Sequence, residues 1–315
     1  MPNPQLSVLE ICAGAGGQAR GLELAGFAPA AAIELEPMYC QTLRRNRPAW
    51  EVVEADVREL DGRRFKGIDL LAGGLPCQPF SDLGRRFGSQ DERDLFPAAL
   101  RLIEEAQPRA VMLENVRGFA GLGFRGYREH VLAELYDLGY EPRWRVLDAS
   151  AFGVPQMRLR FILLALRHQE ALQFRFPSWQ GPPPTVGQVL ADLMAAGGWQ
   201  GAGRWAERAH GLAPTITGGS KKGGGPHVMR SGAAWARLGV NGSGIADWPP
   251  EASSPADFRP KLTLRMLARI QGFSDEWEFA GGKTEVWRQI GNALPPPVAA
   301  AVGSAIRAAM TGHEA

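Results

Sequence analysis

Val8-Leu9-Glu10-Ile11-Cys12-Ala13-Gly14-Ala15-Gly16-Gly17 is the stretch that decides the fold. A short apolar run passes into a glycine turn, and the residues that follow, up to Ala25, carry a helical pattern that Gly26 closes. A strand, a glycine turn and a helix in that order open a nucleotide-binding α/β sheet, because residues without side chains let a ligand lie against the backbone. Glycines alone are a weak signal. Glu34 strengthens it, standing 20 residues after Gly14 at the end of the next apolar run, where a carboxylate can accept hydrogen bonds from both hydroxyls of a ribose. Asp56, after a third run, is placed to contact an adenine. Together these residues point to an adenosine-bearing ligand without identifying its reactive end.

Outward from there, apolar runs at Val8–Cys12, Ala30–Ile33, Val52–Val53, Ile68–Ala72 and Val111–Leu113 alternate with helical patterns. Two further candidate strands, around Trp144–Leu147 and Phe161–Leu166, follow a helix expected near Glu129–Leu138. This alternation predicts an α/β fold, a Rossmann-like, mostly parallel sheet, with ligands gathered outside the carboxyl ends of the strands. At 315 residues the chain is long enough for such a core plus a smaller appended domain. The character changes after Phe174, with Pro177, the Pro182-Pro183-Pro184 cluster and many glycines, and no sustained period returns until Leu262. The expected division is therefore a large catalytic and cofactor-binding domain over 1–174, a small domain over 175–281, and a segment over 282–315 that returns to the first lobe. Gly218 to Gly225 contains Lys221 and Lys222 and reads as a loop whose bare backbone can approach phosphates.

Hydrophobic residues make up 45% of the chain and charged residues 22%, which excludes disordered and fibrous architectures. No apolar run reaches membrane-spanning length, and the cytoplasm is the expected location. The three cysteines, Cys12, Cys40 and Cys77, lack paired spacing, and the five histidines are scattered, so neither a disulfide scaffold nor a metal site is expected. The net charge of +2 is unevenly spread. From Arg175 to Arg265 ten basic residues face five acidic ones, a net of +5 that leaves −3 elsewhere, which suits a polyanion held by one lobe.

The fourth run ends in Gly73-Gly74-Leu75-Pro76-Cys77-Gln78-Pro79-Phe80-Ser81, a cysteine held between two prolines that restrict the backbone and fix the direction of the sulfur. A free cysteine is most often a small buried hydrophobe, and Cys12 and Cys40 look like that. Cys77 does not, since a core cysteine needs no rigid, glycine-preceded loop at the ligand edge of a sheet. The fifth run ends in Glu114-Asn115-Val116, and a carboxyl group closing a buried strand is costly unless it is paired or functional. Gln156-Met157-Arg158-Leu159-Arg160 leads into the last run. In an extended chain Arg158 and Arg160 share one face and offer two fixed donors.

In their order, Ala13-Gly14-Ala15-Gly16-Gly17, Glu34, Asp56, Pro76-Cys77-Gln78, Glu114-Asn115-Val116, Gln156 to Arg160, Arg269-Ile270-Gln271-Gly272-Phe273 and Gln289-Ile290-Gly291-Asn292-Ala293 resemble the motif series of the bacterial DNA cytosine-5 methyltransferases, over nearly the whole chain. The resemblance implies an S-adenosylmethionine-dependent fold with a target-recognition domain. It implies sequence-specific methylation of carbon 5 of a flipped-out cytosine in double-stranded DNA, with Cys77 adding to carbon 6. Glu114 would serve ring nitrogen 3 and the exocyclic amine, Arg158 would bind the ring carbonyl oxygen, and Arg160 would support the site. Ala13, Gly14, Gly16, Gly17, Glu34, Asp56, Val57, Pro76, Leu95 and Asn292 would hold the cofactor. Gln78, Ser81, Arg85, Arg86, Thr215, Thr217, Lys221 and Lys222 would face DNA, with Gly84 and Gly88 as hinges of the loop beyond Phe80, and Arg265 and Arg269 would organise the small lobe. A monomer is expected, either an orphan methylase or part of a restriction-modification system, in which case a cognate restriction endonuclease would act on the same DNA site without being bound.

Two positions depart from the family pattern. Cys12 stands where an aromatic usually packs on the adenine, and Met266 where a glutamate is common; neither removes a catalytic group. Two rivals share much of the pattern. The tRNA-directed branch of the family typically carries a Cys-Phe-Thr signature that is absent here, and a non-catalytic DNA-binding regulator would be free to lose Cys77 or Glu114.

Overall fold

The computed structural model describes residues 5–76, 94–178, 181–219 and 232–312. The chain divides into two units, one comprising Met1–Leu147, Leu159–Ser178 and Val298–Ala315, the other Asp148–Arg158 and Trp179–Pro297. The second unit therefore begins at 179, close to the break in composition after Phe174, and also takes in the segment before Leu159.

The first unit is built on a seven-stranded sheet of order β3-β2-β1-β4-β5-β7-β6, where β1 is Leu6–Ile11, β2 Phe27–Glu34, β3 Val52–Glu54, β4 Leu70–Gly74, β5 Ala110–Val116, β6 Glu141–Asp148 and β7 Leu159–Leu166. The pairs formed by β1 to β5 are parallel and β7 runs antiparallel to β5. β1, β2, β4, β5 and β7 overlap apolar runs read from the sequence, because strands covered on both faces need apolar residues on both sides, whereas β3 and β6 are short or largely exposed and overlap the expected strands at Val52–Val53 and Trp144–Leu147. Pro29, which cannot donate to a ladder, sits beside an irregularity where Val8 pairs with Pro29 and Leu9 with Ala31.

Register assigns the two faces. Glu10 lies opposite Ala32 and Ala72, Gly74 opposite Glu114, and Val116 opposite Arg160. Alternation then puts Glu10, Glu34, Gly74, Glu114 and Arg160 on one face, and Leu9, Ile11, Ile33, Leu71, Leu113 and Leu163 on the other. The second set is fully apolar and packs with Ala99, Leu102 and Ile103 of the helix Phe96–Ala106 and with Val131 and Leu135 of the helix Arg125–Asp137. Phe119 ties these layers together, stacked on Phe96 at 5.0 Å and edge-on to Phe161 at 4.9 Å. The C-terminal helix Pro296–Thr311 packs on the helix Gly17–Leu24 and its end: a side chain at Gly303 would meet Ala25 at 2.8 Å, and Arg307 donates to the Ala25 carbonyl.

The second unit holds short helices at Val186–Ala195, Ala202–Arg208, Gly232–Arg237, Leu264–Ile270 and Lys283–Asn292. The first two pack so closely that a Cβ on Gly187 would fall 1.9 Å from the Ala206 carbonyl oxygen. Arg269 joins three segments, donating to the Val189 carbonyl and pairing with Asp192 and Asp275, while Arg265 also pairs with Asp275. No described helix is long and apolar enough to cross a membrane.

Candidate active site

The glycine turn crosses the carboxyl ends of β1 and β2. Ala13, itself buried, donates its N–H to the Ile33 carbonyl at 3.0 Å. Gly14 and Gly16 adopt left-handed φ values of 56° and 82°, which a side chain would strain. Gly16 caps the helix that starts at Gly17. No atom lies within 4 Å of the place a Gly14 side chain would take, so open space faces the turn there. Glu34 braces it: one carboxylate oxygen accepts the Gly14 N–H at 2.7 Å and the other the Glu36 N–H at 2.9 Å. Each oxygen retains a lone pair for a hydroxyl. Burial raises the Glu34 carboxyl above its ordinary pKa, and the N–H groups of Glu36, Gly14 and Leu35 oppose that shift.

The other residues expected around a cofactor occupy varied settings. Asp56 is engaged by the Arg58 guanidinium at 2.5 Å, which holds its carboxyl below the usual range, and the pair is solvent-screened because Arg58 is exposed. Val57 points into the apolar core, Leu95 packs against that core, and Pro76 is exposed.

Both backbone groups of Leu75 are held by β5. Its N–H donates to the Glu114 carbonyl at 3.2 Å, and its carbonyl accepts from the Asn115 amide at 3.4 Å. The root of the cysteine loop is thereby fixed against the strand that carries Glu114. Cys77 itself, with Gln78, Ser81, Gly84, Arg85, Arg86, Gly88, Lys221 and Lys222, lies outside the described residues. Of the two described cysteines, Cys40 is fully buried and its thiol is pushed up to about 11, chiefly by burial. Cys12 is driven higher still by burial and by the carboxylates of Glu34, Asp56 and Glu10. A thiol held protonated is a poor nucleophile, so neither is suited to attack.

Glu114 is buried, and Arg160 Nε pairs with its Oε1 at 2.8 Å, both side chains being about one-tenth exposed. A carboxylate and a guanidinium thus stand together on the sheet face that also bears Glu34. In this enclosed setting the ion pair is strong only because each partner compensates the other.

The structure separates the two arginines that the sequence set side by side. Arg158 is fully buried, and its terminal nitrogens donate to the carbonyls of Ile216, Gly291 and Ala293 at 2.7–2.8 Å and to Gln156 Oε1 at 3.4 Å. Those bonds occupy both terminal nitrogens of Arg158, whereas Arg160 stands beside Glu114. Gln156 and Gln271 extend the network: the Gln156 amide donates to Gln271, which donates to the Ala293 carbonyl. Replacing Arg158 by Met should therefore destabilise the protein by about 3–5 kcal/mol, since several buried carbonyls lose their donor. Urea unfolding checks this; a change under about 1 kcal/mol would mean the clamp is dispensable.

Thr215 and Thr217 are exposed on either side of buried Ile216, but the Thr215 hydroxyl is already donated to the Met157 carbonyl at 2.5 Å. The Thr217 carbonyl accepts from the Trp287 indole at 2.9 Å. Asn292, also exposed, donates to the Gly219 carbonyl at 3.4 Å. Gly218 and Gly291 touch through bare backbone, a Gly291 Cβ falling 2.3 Å from the Gly218 nitrogen, so both positions require glycine.

Asn115, Gln156 and Gln271 are motif letters whose sequence positions do not show this structural work. The sequence assigns no role to Gln18 or, beyond its place in the first motif, to Glu10, although a carboxylate inside the apolar run Val8–Cys12 is a visible signal. Both side chains are buried, at 2% and 4% exposure, and no described group makes a well-formed hydrogen bond to the polar atoms of either.

The chain matches the family described as C-5 cytosine-specific DNA methylase over residues 6–308. It is 53% identical to Type II methyltransferase M.NaeI of Lentzea aerocolonigenes, across 97% of this chain and 75% of that protein. It is 48% identical to Type II methyltransferase M.NgoMIV of Neisseria gonorrhoeae, across 96% and 97%. Among solved structures, a Spodoptera frugiperda DNMT2 mutant shares the fold with a TM-score of 0.67 at 17% identity, covering 96% of this chain and 99% of that one.

Proposed function

Because the chain belongs to the C-5 cytosine-specific DNA methylase family, and is thus a DNA cytosine-5 methyltransferase, we propose that it works through a covalent Cys77 adduct on a flipped-out cytosine with S-adenosylmethionine as methyl donor. The observation that carries this reading is the Glu114–Arg160 pair at 2.8 Å on the face that also holds Glu34, with Leu75, just after β4, hydrogen-bonded to Glu114 and Asn115 of β5.

The space over Gly14, the Glu34 carboxylate with its remaining lone pairs, and the buried atoms of Glu10 and Gln18, which lack a well-formed partner among the described residues, suit an adenosine ligand with a polar, charged tail. Glu34 and the Ala13 to Gly17 turn would hold it. When bound, S-adenosylmethionine supplies an electrophilic methyl group on sulfur. Carbon 5 of cytosine is a poor nucleophile, and addition of the Cys77 thiolate to carbon 6 shifts the ring's double-bond electrons onto carbon 5. Glu114 meets ring nitrogen 3 and the exocyclic amine, opposing the charge that addition creates. Arg160 takes the donor role toward the ring carbonyl and keeps Glu114 oriented, while Arg158 acts at a distance as a positioning residue. After methyl transfer, loss of the carbon 5 proton and departure of the thiolate restore the ring. The cytosine must leave the base stack to meet these groups.

The unit spanning Trp179–Pro297 corresponds to the proposed target-recognition domain, with its excess of positive charge directed at phosphates. The Type II relatives place the activity in restriction-modification, where a cognate endonuclease would recognise the same site. The test is bisulfite sequencing of plasmid DNA treated with the protein and S-adenosylmethionine. Methylated cytosines at one short motif are expected; methylation of tRNA and not of plasmid would overturn the DNA assignment.

A further inference from the structure

Three acidic residues gather near the carboxyl ends of the first strands: Glu10 on β1, Glu34 on the same face of β2, and Asp56 beyond β3. They differ in how their charge is met. Asp56 has Arg58, and Glu34 has two backbone N–H groups. Glu10 sits two residues before the end of the turn's leading segment, flanked in the sheet by Ala32 and Ala72, neither of which offers a polar side chain. Its two oxygens are buried without a well-formed partner among the described residues, and Glu34 stands one pleat further along the same face. An ionised carboxylate in that position would be desolvated, uncompensated and repelled by a like charge, a combination that proteins avoid by taking up a proton.

We propose that Glu10 is a neutral carboxylic acid in the ligand-free enzyme and releases its proton when the cationic cofactor binds, so that the enzyme distinguishes the charged methyl donor from its neutral product by proton exchange. The inference rests on the reading of S-adenosylmethionine as cofactor. S-adenosylmethionine carries a sulfonium, an ammonium and a carboxylate, a net charge of about +1, whereas S-adenosylhomocysteine has lost the sulfonium charge and is a neutral zwitterion. A cation placed in this acidic pocket supplies the compensation that Glu10 lacks, and the proton passes to solvent. Burial and the Glu34 charge both raise the Glu10 carboxyl, and the Ala19 N–H offsets only part of that rise. The charged neighbour that raises it is Glu34 on β2, while Asp56 beyond β3 is paired with Arg58. The sign follows: release is full while the pH lies between the lowered pKa of Glu10 in the complex and its raised pKa in the free enzyme, and fades as the pH rises through the latter or falls through the former.

Titration calorimetry of the intact protein in buffers of different ionisation enthalpy counts the protons exchanged. S-adenosylmethionine should release about one proton per molecule bound and gain up to about tenfold in affinity per pH unit, while S-adenosylhomocysteine shows neither effect. In Glu10→Gln both effects should vanish with binding retained. Infrared difference spectra of the unaltered protein give a second measurement that needs no variant: a carboxylic-acid carbonyl band should disappear on adding S-adenosylmethionine and persist with S-adenosylhomocysteine. Binding without proton release, or release that survives in Glu10→Gln, would overturn the proposal. Failure of the unaltered protein to bind S-adenosylmethionine at all would overturn the cofactor reading instead.

Discussion

Replacing Cys77 by Ser should reduce methyl transfer by about 10⁴-fold or more while leaving S-adenosylmethionine binding and sequence-specific DNA binding in place. A thiol is a few per cent thiolate near neutral pH and is intrinsically strongly nucleophilic, whereas a hydroxyl at the same point has no base assigned to activate it. The other described thiols cannot substitute, because burial and neighbouring carboxylates keep both Cys12 and Cys40 protonated. Radiolabelled methyl incorporation measures the loss, and a gel-shift assay measures the binding that should survive. Undiminished methylation by the serine variant would remove the covalent pathway.

Glu114→Gln should lower kcat by about 10²–10⁴-fold with a smaller change in DNA affinity. The amide keeps the shape of the side chain but loses the charge that pairs with Arg160 and the capacity to hold a proton at ring nitrogen 3. Part of the loss will come from Arg160, which is left enclosed without its counter-ion. Single-turnover kinetics separate this from weakened binding: the chemical step should slow, and a variant with a normal single-turnover rate would show that Glu114 has no part in it.

The sheet was legible because its central strands are apolar runs long enough to be seen, from Val8–Cys12 through Phe161–Leu166, whereas β3 and β6 offered only Val52–Val53 and the short Trp144–Leu147 stretch. The second unit was not. Its helices Ala202–Arg208 and Gly232–Arg237 are 7 and 6 residues long, too short for a period to stand out, and their stability comes from contacts such as Gly187 against Ala206. Lys283–Asn292 carried a start signal that went unread, Glu285 returning to the Gly282 N–H at 2.8 Å. Arg158 and Arg160 show a different limit. Strand alternation would set both on one face, but Arg158 lies just before β7, and alternation says nothing of which carbonyls, those of 216, 291 and 293, come to meet its side chain. Glu10 is the reverse case: the letter was conspicuous in an apolar run, and only the burial of both oxygens gives it meaning.

The most direct test of the covalent mechanism uses duplex DNA carrying 5-fluorocytosine at the methylated position, incubated with the protein and S-adenosylmethionine. Fluorine at carbon 5 cannot leave as a proton, so the adduct should persist through denaturation, and peptide mass spectrometry should locate the nucleotide on Cys77. Methylation of normal DNA with no trapped adduct, or an adduct on any other residue, would contradict the mechanism.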